Sequence, residues 1–239
     1  MSYRVVIDLS HNEQVEELPE LSLEDEFEIE YIEKKPIKFE DLEDFEVLFI
    51  GNIQNRETGK EDKFTPEELV AIKKFVGEGG GLFVTSGSGG DYDIPMKKGS
   101  IRVLYKITGV RKYWNGVIHE SGSNLLVKKN NILLTDFFSH PVTKGINEVV
   151  LPNCTFFTIE EDVEDLMLTS EKAEFKYFAD EVVDEIGPVP VCVASEFYSG
   201  RCITVGSSDF LLEDEDFGLD AGDNLKFLKN ILGWLTFEI

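Results

Sequence analysis

The stretch SGSGG, residues 86–90, has the small-x-Ser-x-small spacing of a nucleophile elbow. In that motif a strained strand-to-helix turn holds one side chain out at the top of a sheet. Ser88 occupies the nucleophile's place. A serine there needs a general base within hydrogen-bond reach, and the base needs an orienting group. The three histidines of the chain are His11, His119 and His140. His11 follows the first apolar run, whose end should adjoin the elbow loop. A Ser88–His11 pair oriented by Asp8 or Asp209 is therefore conceivable geometry for a hydrolase. The plainer expectation is that Ser88 is a small residue in a tight glycine-rich turn. His140, just before Pro141, reads as a structural turn at the start of a short helix.

Other chemistries fit less well. A glycine-rich loop can cradle phosphate with its backbone N–H groups. Here no lysine follows in Walker spacing, Gly-x-Gly-x-x-Gly is absent, and Asp91 and Asp93 would repel an anion. A neutral polyol such as a sugar suits a rim of Ser, Asn and Asp better. The acidic run Glu213-Asp214-Glu215-Asp216, with Asp220 and Asp223, fails the calcium-loop pattern because Gly218 falls one place early. These acids are expected to be solvated, with Asp220 or Asp223 helping to cap the last helix. No metal and no cofactor are expected.

The elements that must position these residues begin with buried strands. Val5, Val6 and Ile7 are contiguous, as are residues 47–50 (VLFI) and 82–85 (LFVT), as in strands covered on both faces. Residues 27–33 (FEIEYIE) alternate and predict an edge strand with one wet face. Between them stands a well-marked helix. Thr65 is an N-cap, Pro66 takes the first helical position, and Glu68 completes a capping box. Residues 100–185 are less regular, with a helical segment near 101–108 and several strand-like runs. Residues 189–197 and 201–206 predict two strands joined at Tyr198-Ser199-Gly200. Residues 224–235 predict a deeply packed closing helix. The alternation of strand and helix argues for an α/β fold: a flavodoxin-like, doubly wound, mostly parallel sheet with helices on both faces. No repeat or linker divides residues 1–239, so a single domain is expected.

The bulk numbers narrow the partners. A formal charge of −24 repels phosphate backbones and anionic lipid, which argues against nucleic acid and the membrane surface. No apolar run approaches the ~20 residues that span a bilayer. Three cysteines, Cys154, Cys192 and Cys202, are too few for a disulfide framework and suggest a reducing compartment. A cytoplasmic protein is expected.

Two long blocks carry a resemblance: FTPEELVAIKKFVGEGGGLFVTSGSGG and GRCITVGSSDFLLEDEDFGLDAGDNLKFLKNILGWL. They resemble the family that groups the N-terminal domain of intraflagellar transport protein 52 with the gliding-motility protein GldG. The short block SHPVTKGI is similar to one in these and other class I glutamine-amidotransferase-like proteins. The resemblance implies an amidotransferase-like scaffold whose enzymes keep Cys at the elbow and His-x-Glu after a late strand. Here the elbow has Ser88, and the late position reads Gly206-Ser207-Ser208-Asp209. The resemblance thus implies a catalytically degenerate, non-enzymatic binding or scaffold domain. The chain ends directly after the matching region, so the ciliary role is not carried over.

With residues 3–9 as the first strand and 82–85 as its neighbour, the crevice at the strand-order reversal is expected between them. Its rim would be Ser10, His11 and Asn12 on one side and Ser86, Gly87, Ser88, Gly89, Gly90 and Asp91 on the other. Ser208 and Asp209 would complete it. A protein partner, or a small polar ligand, is expected there.

Overall fold

The three contiguous apolar runs become strands with almost no solvent contact. β1 (Tyr3–Asp8), β3 (Val47–Ile50) and β4 (Gly81–Thr85) follow one another in chain order, with β2 (Phe27–Ile32) after β1. The structure is a computed structural model. It describes residues 2–11, 13, 27–33, 36–53, 64–88, 101–178, 182–214 and 216–239. The remaining strands are β5 (Val110–Tyr113), β6 (Gly116–His119), β7 (Leu125–Leu126), β8 (Lys128–Leu134), β9 (Val149–Pro152) and β10 (Phe157–Ile159). Then come β11 (Glu164–Leu168), β12 (Glu174–Tyr177), β13 (Val183–Glu185), β14 (Pro190–Phe197) and β15 (Gly200–Val205).

The main sheet has seven strands in the order β11-β14-β15-β4-β3-β1-β2. The run from β2 to β15 is parallel throughout, and β14 and β11 continue it antiparallel. β2 lies at the edge, as its alternating pattern predicts. β1 and β4 are both interior but are not neighbours. β3 lies between them, with Val5 opposite Val47 and Val47 opposite Gly81. This corrects the expected adjacency. All three runs are equally apolar, and apolarity alone does not order interior strands.

Side chains alternate between two buried clusters. Val5, Ile7, Phe49, Phe83, Ile203 and Val205 join one; Val6, Leu48, Ile50, Leu82 and Val84 join the other. Phe49 and Phe83 stack across β3 and β4 at 4.7 Å, which adds about 0.5–1.5 kcal/mol to their burial. α1 (Pro66–Gly77) sends Ile72, Phe75 and Val76 into the second cluster. Its start is as expected: the Thr65 side chain accepts from the Glu68 N–H, and Glu68 accepts from the Thr65 N–H at 2.7 Å.

The expected helical layers on both faces are not evident. Among the described residues there are three α-helices: α1, the single turn α2 (Tyr105–Thr108) and α3 (Asn224–Leu235). The rest of the cover comes from the excursion between β4 and β14. Apart from β11, which joins the main sheet, its strands form small antiparallel sheets, β10-β5, β13-β12-β6 and β7-β8-β9. The fold is a mixed α/β one built on a mostly parallel sheet.

Asn224, at the start of α3, ties this cover down. Its Oδ1 accepts from the Val150 N–H, and its Nδ2 donates to the carbonyls of Val150 and Gly218, all at 2.8–2.9 Å and fully buried. Asn224→Ala leaves the Val150 N–H and carbonyl unpaired away from water, while the Gly218 carbonyl keeps the Ala221 N–H. It should lower unfolding free energy by about 2–4 kcal/mol, measured by urea denaturation.

Candidate functional site

The C-terminal ends of β1, β3, β4 and β15 form one crest of the sheet. The order β2-β1-β3-β4-β15 places the reversal between β1 and β3, the position where open α/β sheets carry ligand crevices. The segment after β3, Gly51-Asn52-Ile53, therefore flanks the reversal, and sequence reasoning did not assign it. The turn after β1 crosses above β3 through a bridge between Glu13 and Ile53. Of the expected rim, Asn12, Gly89, Gly90 and Asp91 lie outside the described residues.

His11 is wholly buried and surrounded by carboxylates. Its Nδ1 lies 2.7 Å from Oδ2 of Asp8 and 3.7 Å from Oε1 of Glu13. Its Nε2 lies 3.3 Å from Oε1 of Glu68, within ion-pair range but without hydrogen-bond geometry. The ring packs against that of Phe64, tilted by 33° with centroids 4.1 Å apart. Ser10 Oγ donates to Asp8 Oδ1 at 2.7 Å and stands 3.0 Å from Nδ1. Asp8 thus pairs with His11 through Oδ2 and Nδ1. Glu13 and Glu68 are partners that the sequence did not announce. Glu68 is doubly employed: its Oε2 completes the capping box, and its Oε1 accepts from the Ile37 N–H at 3.0 Å.

Burial pushes Asp8 up, yet the hydrogen bond and charge of His11 outweigh this and hold it below the ordinary carboxylate value. Burial, joined by the Asp8 charge, pushes Glu13 up to about 9. Two neighbouring carboxyls are thus driven apart, one charged and one protonated.

The turns after β4 and β15 lock to each other and to a loop above them. The Ser86 N–H donates to Val205, and Ser208 Oγ donates to the Ser86 carbonyl at 2.8 Å. Ser207 Oγ donates to the Pro152 carbonyl, and the Thr155 N–H to Gly206. Asn153, held at φ 49°, donates from Nδ2 to Asp209 and accepts at Oδ1 from Asn130. Residues 152–155 therefore close over this part of the crest. Ser207 and Ser208 are buried anchors of that loop, and Asp209 is tied to its tip. Ser88 is half-buried.

Three buried polar atoms nearby have no hydrogen-bond partner: Asn52 Oδ1, Thr85 Oγ1 and Ser86 Oγ. Asn52 and the elbow turn are in contact, since a Cβ on Gly87 would stand 2.8 Å from Asn52 Nδ2. Native structures leave few such atoms unpaired, and each calls for an explanation.

The remaining candidates have structural roles. His140 Nδ1 accepts from the Val142 N–H at 3.1 Å and caps the turn Pro141–Thr143, as expected. Cys154, Cys192 and Cys202 are free and buried, and burial pushes every one of these thiols upward, Cys202 to about 12. None is a thiolate nucleophile at neutral pH. In the acidic run, Asp214 Oδ1 accepts the N–H groups of Asp216 and Phe217, a local turn. Asp223 stands at the N-cap of α3 but turns its carboxylate to the Asn147 N–H at 2.7 Å, and makes no side-chain cap. Among the described residues, no helix is long and apolar enough to cross a membrane.

No protein-family model matches the chain, and no curated protein matches it. Solved structures do. The mmIFT52 N-terminal domain superposes with a TM-score of 0.73 at 17% identity, over 97% of each chain. These likenesses establish the fold. A ThuA-like protein from Bacteroides uniformis gives a TM-score of 0.59 at 18% identity, over 98% of this chain and 91% of that one. PurLQS from Thermotoga maritima gives 0.56 at 15%, over 98% of this chain and 100% of that one.

Proposed function

We propose that the chain is a non-catalytic recognition domain on a degenerate amidotransferase-like scaffold of the intraflagellar transport protein 52 and GldG kind. In this reading residues 1–239 are one domain, flavodoxin-like in ancestry, and the crest is its binding surface. Ser10, Asn52 and residues 86–88 border that surface, His11 and Ser208 lie buried beneath it and Asp209 is tied to the loop above it; Asn12, Gly89, Gly90 and Asp91, expected in the same rim, lie outside the described residues. The occupant is a protein partner or a small polar ligand such as a sugar, and not nucleic acid. The supporting observation is the set of unpaired buried atoms, Asn52 Oδ1, Thr85 Oγ1 and Ser86 Oγ, at the ends of β3 and β4. Groups so placed gain most from a ligand or partner backbone that completes their hydrogen bonds.

The burial of the candidate base His11 supports binding without catalysis. Both nitrogens of His11 face carboxylates in a ring closed to solvent. At the late position, Ser207 and Ser208 spend their hydroxyls on carbonyls. A fluorophosphonate probe should therefore leave the intact mass unchanged. A stoichiometric adduct that disappears in Ser88→Ala would establish the hydrolase alternative instead.

Recognition is tested by amide NMR titration with a panel of neutral sugars and polyols. Saturable shifts should cluster at residues 50–53 and 86–88 and vanish in Ser88→Trp. For a protein partner, capture by the parent chain should likewise fail with Ser88→Trp. Binding that survives this substitution places recognition elsewhere.

A further inference from the structure

We infer that Asp8, His11 and Glu13 form a binding site for one first-row divalent transition-metal ion, with Glu68 orienting the imidazole. The site stands independently of whether the crest recognises a ligand. One ligand-capable atom from each of the three residues lies within 4.8 Å of the others. Metal bonds to imidazole nitrogen and carboxylate oxygen run about 2.0–2.2 Å, so donors on one ion stand roughly 3–4 Å apart. The 3.7 Å between His11 Nδ1 and Glu13 Oε1 already fits. The 2.7 Å to Asp8 Oδ2 needs only a small opening, with the ion taking the proton's place on Nδ1.

Two further features point to a cation. Glu13 Oε1 belongs to a side chain with no solvent exposure, faces Nδ1, and has no hydrogen-bond partner. Asp8 and Glu68 flank the imidazole together with the Glu13 carboxyl, and no Lys or Arg is paired with them among the described residues. Buried charges are ordinarily paired or coordinated to metal.

A carboxylate that can take the orienting role also faces the ring, at ion-pair range and without hydrogen-bond geometry. A metal-bound histidine usually offers its other ring N–H to a carboxylate, which sets the tautomer and raises ligand basicity. Nε2 faces Glu68 Oε1 at 3.3 Å, and Glu68 is itself held by the N–H groups of Ile37 and Thr65. Ser10 Oγ, 3.0 Å from Nδ1, offers a fourth oxygen. One imidazole with carboxylates and no sulfur suits Zn²⁺, Mn²⁺ or Co²⁺ rather than Cu⁺, and the nitrogen donor disfavours Ca²⁺ and Mg²⁺.

The test uses the whole chain, stripped with a chelator and confirmed folded by circular dichroism. Zn²⁺ titration by calorimetry should give one ion per chain, and Co²⁺ should give the visible absorption of a low-coordinate nitrogen–oxygen site. Glu13→Gln, which keeps shape, should abolish stoichiometric binding. Glu68→Gln should weaken it about 10–100-fold while leaving the stoichiometry intact. The paired substitution Asp214→Asn, Asp216→Asn in the exposed acidic run should change nothing. The inference fails if the stripped, folded chain takes up no stoichiometric ion. It also fails if Glu13→Gln binds as the parent does, or if the Asp214/Asp216 variant is the one that loses the ion.

Discussion

His11→Ala should cost the fold about 3–5 kcal/mol. The imidazole is the group that pairs with Asp8 and keeps it and Glu68 from standing unscreened beside the Glu13 carboxyl. Removing one partner of a buried charged set leaves the others desolvated without compensation, which is the expensive half of such an interaction. The ring contact with Phe64 is lost as well. Urea denaturation of the parent and variant at neutral pH, in chelator, measures the difference. A loss under about 1 kcal/mol, the scale of an exposed pair, would show that water reaches these carboxylates. A quadruple variant that adds Asp8→Asn, Glu13→Gln and Glu68→Gln to His11→Ala should recover much of the loss. Replacing a buried ionic set as a whole is far milder than breaking it.

Gly206→Ala should be comparably damaging for a different reason. A Cβ at this position would stand 2.1 Å from the Thr155 carbonyl oxygen and 2.9 Å from Cys154 Sγ. Neither side can yield cheaply. The Gly206 N–H donates to Val191 and its carbonyl accepts from Thr155, so the backbone is pinned on one side to the sheet and on the other to the covering loop. Forcing extra volume into such a contact costs about 1–3 kcal/mol and occasionally more. With backbone as the obstacle, the upper end is expected. Thermal or urea unfolding reads the cost. Amide exchange at residues 152–155 should rise ahead of global unfolding, because the loop is what must lift. An alanine tolerated within 0.5 kcal/mol, the usual scatter of surface substitutions, would show that the loop is adaptable.

What could be read from the sequence was local. Thr65, Pro66 and Glu68 mark the start of α1 because a capping box lies within one helical turn. The hairpin of β14 and β15 is visible because two apolar runs flank a short turn. His140 was legible as a turn residue from the proline beside it. The unread features depend on separation along the chain. Glu68 looks complete as a capping residue, and nothing in its neighbourhood shows that it also faces His11. Asn153 and Asn224 are single polar residues whose value lies in distant partners, Asp209 and Val150. Strand order is not legible in the sequence because β1, β3 and β4 are equally apolar. Residues 100–185 looked irregular because their strands are short and pair into small separate sheets, so no long period builds up.

β15 completes the parallel run by pairing with β4, Val205 opposite Thr85 and Arg201 opposite Gly81. The whole excursion from Ser86 to Ser199 comes between them in the chain. During synthesis, β1 to β4 can assemble early, but the flank of β4 stays without its neighbour until β15 has left the ribosome. That flank is an apolar strand with unpaired backbone groups, the kind of edge that recruits other chains. Pairings of such long sequence separation also close slowly. The nascent protein therefore carries a defined window of vulnerability to misassembly, which opens with the synthesis of β4 and shuts with that of β15. Holdase chaperones would be needed most within that interval.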